Sequence, residues 1–147
     1  DTTTLGGESE PQEQTVPIEA PPELAVGEEA DFDLAQSALD AENYIEAAEM
    51  LNRFSQTYPD SPLIAEAHLL RGKAFEAVED YKASARAYLE SYNALKSPDA
   101  LQRLSNSLIS LGQMETGCQM LSQVELLFPG TSYAAVAQSE MQRLQCF

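Results

Sequence analysis

Two cysteines, one histidine and a few paired acids are the residues of this sequence best suited to chemistry. Cys118 and Cys146 lie 28 residues apart, and His68 is remote from both, so the three do not form a metal-ligand set. No serine or cysteine nucleophile has a base near it in the helical plan set out below, and His68 reads as a packing residue. The pair Glu79-Asp80, and Asp40 with Glu42, fall at breaks between helical segments, where acids are ordinary solvated caps. Gly6-Gly7 and Pro129-Gly130 have no phosphate-loop context. The sequence therefore predicts no enzyme, no metal and no cofactor. What remains to the cysteines is each other. A turn around Pro129–Ser132 makes the flanking helices antiparallel, so both sulfurs come to similar heights at about 1.5 Å of rise per residue. A disulfide there would pin the last helix by about 3 kcal/mol and imply an oxidising compartment. The alternative is one buried and one frayed-end thiol in a cytosolic protein.

The elements that hold these residues are helices. From Phe32 onward apolar residues recur every three or four positions: Phe32, Ala35 and Leu39, then Ala47, Leu51 and Phe54, with Asn43 at the break. Pro59 ends a hairpin, and Ser61 with Pro62 offers a cap and a first-turn proline for the next helix. Ser97-Pro98-Asp99 repeats that start, and Thr131 or Ser132 opens a last helix running to about Leu144. Seven helices and no strand are expected. Residues 1–30 differ: four prolines, Gly6-Gly7 and many Thr, Glu and Gln predict an acidic linker with little fixed structure, with a short helix expected to begin near Gly27–Asp31. Of the formal charge of −16, residues 1–33 supply ten acids and no base, leaving the rest at −6. Such a balance argues against nucleic acid and anionic membrane as partners. No apolar run approaches the roughly 20 residues that span a bilayer, so no direct membrane insertion is expected. With no initiator Met and no signal segment, the chain reads as a mature or trimmed product.

The helical segments repeat. Asn43-Tyr44-Ile45-Glu46-Ala47-Ala48 aligns with Asp80-Tyr81-Lys82-Ala83-Ser84-Ala85 and with Gln113-Met114-Glu115-Thr116-Gly117-Cys118, at offsets of 37 and 33 residues. Pro59 and Pro129 close the first and third copies. Leu34-Ala35 with Ala38, Arg71-Gly72 with Phe75, and Leu104-Ser105 with Leu108 fall at the same offsets on each first helix. Ala47, Ser84 and Gly117 supply a small residue on each second helix. This pattern resembles the tetratricopeptide repeat. The resemblance implies an all-α, right-handed superhelical stack of three hairpins, at about 31–62, 63–97 and 98–130, with a capping helix at 131–145. Arg71 in an apolar position and the missing closing proline after Ala94-Leu95-Lys96 mark the second unit as the least regular. The repeat family lines a concave groove with its first helices, and projecting that plan selects Gln36, Leu39, Glu66, Leu69, Lys73, Glu76, Gln102, Asn106 and Ile109. Lys73 and Asn106 would bond a ligand's backbone or carboxylate over an apolar floor of Leu69 and Ile109. Lys73 and Arg103 are too few for a full cationic clamp.

A narrower resemblance covers residues 31–147. Asp40-Ala41-Glu42-Asn43-Tyr44-Ile45-Glu46-Ala47-Ala48, Tyr58-Pro59-Asp60-Ser61-Pro62-Leu63, Leu111-Gly112, Cys118 and Gln142-Arg143-Leu144-Gln145-Cys146 are similar to the C-terminal domain of the CpoB/YbgF family of the Tol–Pal system. The resemblance implies a periplasmic interaction module that coordinates outer-membrane constriction with peptidoglycan synthesis during cell division, with TolA and a peptidoglycan synthase as protein partners. That family trimerises through an N-terminal coiled coil. Residues 1–30 show no heptads, so a homo-oligomer is expected only if a coiled coil lies upstream. Other envelope repeat proteins share the Tyr-Pro-Asp-Ser-Pro turn. A lipoprotein-type scaffold of outer-membrane assembly, or the targeting arm of a larger peptidoglycan-active enzyme, therefore stand as alternatives.

Overall fold

Three residue positions recur at the repeat offsets, and each is shut off from solvent. Ala35, Gly72 and Ser105 form the first set, Ala47, Ser84 and Gly117 the second, and Leu51, Tyr88 and Leu121 the third. A helix pair packs closely only where small side chains let the backbones approach, and a bulky neighbour then fills the space around the contact. In the computed structural model, which describes residues 27–146, these positions organise seven helices. They are α1 (Glu28–Asp40), α2 (Tyr44–Thr57), α3 (Ile64–Ala77), α4 (Tyr81–Ala94), α5 (Pro98–Ser110), α6 (Met114–Leu127) and α7 (Ser132–Leu144). No strand occurs among the described residues, and none of their helices is long and apolar enough to cross a membrane. The expected linker lies, as far as residue 26, outside the described residues.

The helix ends follow local chemistry, with one departure from expectation. Ser97 and Thr131 each accept a bond from the backbone N–H three residues on, at 3.1 Å in both cases, and Asp80 does the same for Ala83 at 3.2 Å. Ser61 does not cap α3, which starts at Ile64 after Leu63. Its hydroxyl accepts from the Leu63 N–H at 3.0 Å and donates to the Glu28 carboxylate. Helix α1 begins at Glu28, within the Gly27–Asp31 stretch where a helix start is expected, and buried Glu28 ties that start to the joint between the first two hairpins.

Consecutive helices pack antiparallel along the chain, giving two layers: α1, α3, α5 and α7 on one side, α2, α4 and α6 on the other. Helix α1 also touches α3, and α5 touches α7, whereas no pair within the second layer comes comparably close. The stack therefore curves toward the first layer. One core cluster joins the first hairpin to α3 through Phe32, Leu51, Phe54, Ala67 and Leu70. Another runs from Leu69 and Tyr88 through Leu101, Leu104, Leu121 and Val124 to Ala137. The bond between Cys118 and Cys146, with Cα atoms 5.7 Å apart, ties α6 to the end of α7.

The second unit departs from its neighbours by a volume exchange. Tyr88 stands where the other units carry Leu51 and Leu121, and Gly72 stands where they carry Ala35 and Ser105. A Cβ on Gly72 would meet the Tyr88 ring at 2.5 Å. The unit also ends differently: Leu95 has extended backbone and is 63% exposed, while Tyr58 and Phe128 at the matching positions are half-buried.

Two stability measurements follow. Gly72→Ala gains helix propensity but drives a methyl into a ring that is fully buried. Chemical denaturation should show a net loss of about 1–3 kcal/mol, and a stabilised variant would contradict the packing described. Each hairpin turn passes through a left-handed residue: Glu42 (φ 65°), Glu79 (φ 62°) and, in the third unit, Gly112 (φ 96°). Since only glycine adopts that conformation without a Cβ clash, Glu79→Gly should stabilise by about 0.5–1 kcal/mol in the same assay.

Candidate peptide-binding groove

The concave layer presents side chains of α1, α3, α5 and α7, and a cavity lies between the last two. A volume of about 250 Å³ is lined by Gln102, Asn106, Ile109 and Ser110 of α5 and by Val136, Glu140 and Arg143 of α7. The spacing of each set, three or four residues, is what one face of a helix supplies. Three of the residues selected from the sequence, Gln102, Asn106 and Ile109, thus meet in one place. The other six sit on α1 and α3, outside that cavity. Gln36 and Glu66 are exposed, and Lys73 and Glu76 are half-buried. Leu39 is half-buried against the N-terminal core.

Leu69 does not form a groove floor. It is 9% exposed and belongs to the core with Tyr88, Leu101 and Leu104. One residue's rotation about α3 carries it from the groove to the α4–α5 side. Ile109 keeps a double role: it lines the cavity, and its side chain covers Gly117, where a Cβ would meet it at 2.4 Å.

The middle of the concave face is polar and is built partly from behind. Tyr88 reaches from α4 between α3 and α5, and its hydroxyl donates to Glu76 at 2.6 Å. Burial pushes that hydroxyl far above the usual tyrosine range, and the Glu76 carboxylate adds to the shift. Arg103 beside it donates to Asp99 at 3.0 Å on its own helix. Arg143 is likewise held by Glu140, with Nε 2.9 Å from the carboxylate. Lys73 is the one groove cation without an ion pair among the described residues.

Tyr88, Val136, Glu140 and Arg143 were not among the residues selected from the sequence. Their signals were present. Tyr88 is the one aromatic at a position otherwise held by leucine, and Val136, Glu140 and Arg143 share one face of the predicted last helix.

His68 lies outside the groove, between α3 and α4. Arg71 donates to its Nδ1 at 3.1 Å, and Arg71 also pairs with Glu90, which is 3.6 Å from the imidazole. Arg71 is thus a buried cation with a carboxylate partner, which explains a charge in an apolar position. Among the described residues no three His, Cys, Asp or Glu side chains gather as a metal site would require.

With seven helices, hairpin packing and a groove on the first-helix layer, the fold is that of a tetratricopeptide-type stack, an architecture that generally serves protein interaction rather than catalysis. Residues 29–61, the first hairpin and the joint after it, match the tetratricopeptide repeat family. Among solved structures the chain is similar to the second tetratricopeptide domain of the human RPAP3 protein, determined by NMR in complex with the HSP70 peptide SGPTIEEVD. The identity is 18% and the TM-score 0.67, over 80% of this chain and 96% of that one. At that identity the likeness establishes the fold. No curated protein matches the sequence.

The environment of His68 yields a pH dependence. Burial, then the positive field of Arg71, hold its pKa below the ordinary value of 6.5, against the opposing pull of Glu90. A lowered folded pKa means the neutral ring's contribution is complete above the unfolded pKa. It is lost as pH falls from there through the folded value. Thermal stability should therefore drop more for the native sequence than for His68→Gln between neutral pH and pH of about 5. An NMR titration midpoint of the His68 ring at or above 6.5 would contradict the geometry.

Proposed function

We propose that this chain is a non-catalytic, periplasmic interaction module of the Tol–Pal system, coordinating outer-membrane constriction with peptidoglycan synthesis during cell division. Its protein partners in this reading are TolA and a peptidoglycan synthase. The observation that carries the interaction role is the α5–α7 cavity. There the carboxamides of Gln102 and Asn106 each offer a donor and an acceptor, matched to the N–H and C=O of an extended peptide. Ile109 and Val136 add apolar contact. The RPAP3 domain holds a peptide that ends in an acidic residue. In this groove Arg103 and Arg143 are already neutralised by Asp99 and Glu140, so recognition rests on backbone and apolar side chains rather than on a carboxylate clamp. The assignment to the Tol–Pal system is supported by the resemblance of residues 31–147 to the CpoB/YbgF family, and the periplasm by the Cys118–Cys146 bond.

The test is capture of TolA by the full chain, followed by titration. Replacing Gln102 and Asn106 together by alanine should weaken binding by about tenfold or more, since each lost neutral hydrogen bond is worth about 1 kcal/mol. Unchanged affinity in that variant would remove the groove from the interaction. Failure to capture TolA would remove the Tol–Pal assignment. Protein alkylated in its native compartment and then denatured without reductant should show no free thiol. Two free thiols would argue against an oxidising location.

A further inference from the structure

Helix α7 is the most weakly held wall of the groove. Its fully enclosed side chains are two alanines, Ala134 and Ala137, while Tyr133, Met141 and Leu144 are only partly covered. Among the described residues it packs chiefly on α6 and, more lightly, on α5. Its end is also conformationally costly. Gln145 takes the left-handed backbone that glycine favours (φ 58°), with the Cys146 N–H bonded to the Met141 carbonyl at 2.8 Å. The disulfide acts directly on that cap, three residues beyond the cavity-lining Arg143. Both cysteines are half-buried, and they border a cleft of about 500 Å³ between α6 and the end of α7, lined also by Gln119, Ser122, Gln123 and Gln145. A cavity larger than the one in the groove thus lies over a covalent bond.

We propose that Cys118–Cys146 is an exchangeable latch: a dithiol reductant entering this cleft opens the bond, and the C-terminal half of α7, with Glu140 and Arg143, comes away from α5. In the first step a thiolate of the reductant attacks the Cys146 sulfur, which lies beyond the end of α7, and Cys118, inside α6, leaves as a thiolate. The second thiol of the reductant then attacks the mixed disulfide and releases Cys146. Two electrons pass to this chain, which gains two thiols, and the reductant becomes a disulfide. With the bond gone, the left-handed cap and the sparse apolar contact of α7 favour local opening of that helix ahead of the rest of the stack. Only the functional consequence, a groove missing one wall, rests on the proposed interaction role.

The experiment uses the full chain and dithiothreitol as the probe, without denaturant and without a groove ligand. Alkylation and intact mass should find both cysteines modified after native reduction. Hydrogen exchange in α7 should then speed by about tenfold or more, with α1–α4 unchanged, and recover on reoxidation. Cys146→Ser should reproduce the fast exchange with no reductant present. A bond that yields only after denaturation overturns the proposal. So does a reduced chain, or a Cys146→Ser chain, whose α7 exchanges as slowly as the oxidised one, or a loss of protection throughout the stack. Since no ligand enters this assay, its failure and a failure to bind TolA are separate results.

Discussion

The structure depends on close backbone approach at fixed points in each hairpin. Ala35 and Ala47, Gly72 and Ser84, and Ser105 and Gly117 are all buried, and any larger side chain there would force the helices apart. The third pair shows the constraint directly, since a Cβ on Gly117 would come within 3.3 Å of the Ser105 carbonyl oxygen. A single hairpin made this way cannot cover its own apolar face. Stacking on the next unit covers it, and the two core clusters, one on either side of α3, are the record of that dependence. Curvature follows because the first-helix layer closes up more than the second, and curvature is what makes a groove.

Within that plan the second unit trades volume between helices. Glycine at position 72 admits a tyrosine at 88, and the ring extends far enough to deliver its hydroxyl to Glu76. A leucine at 88 would fill the core equally well but would offer Glu76 no hydroxyl. The exchange therefore lets a fully buried ring hold the half-buried Glu76 from below. It also accounts for the wider relation of α3 to α5, which are not in contact comparable to that of α1 with α3 or α5 with α7. The irregularity expected at Arg71 has a different resolution: the charge is not a defect in the repeat but is paired with Glu90 between α3 and α4.

Much of the fold was legible because helical periodicity, proline positions and repeat offsets are local signals. The start of α5 at Ser97-Pro98 and the Thr131 cap follow from adjacent residues, and the opposition of Cys118 to Cys146 follows from counting residues on either side of a single turn. Signals that require a neighbour's position were lost. Ser61 resembles a cap until Glu28, 33 residues away, takes its hydroxyl. Leu69 resembles a groove residue because a projection from repeat spacing carries an error of one position, about 100° around a helix, enough to exchange core for surface. The α7 wall is not reached by a projection from the repeat plan, because the capping helix belongs to no hairpin and that plan assigns it no groove position.

That last point bears on where function sits in such stacks. In a solenoid each unit is stabilised by neighbours on both sides, so an end element with one neighbour is held less firmly than an interior one. A cavity of this groove lies between α5 and α7, and α7 buries little more than alanine. A wall so lightly packed would not by itself keep Glu140 and Arg143 in register with Gln102 and Asn106, and register is what recognition of a peptide backbone requires. The same helix carries the one covalent cross-link among the described residues, placed at its cap rather than at its better-packed start. Chain-entropy restriction from a disulfide acts on the segment it closes, which here is α6, the turn and α7. The cross-link thus supplies rigidity where packing is thin, and it supplies it to the groove.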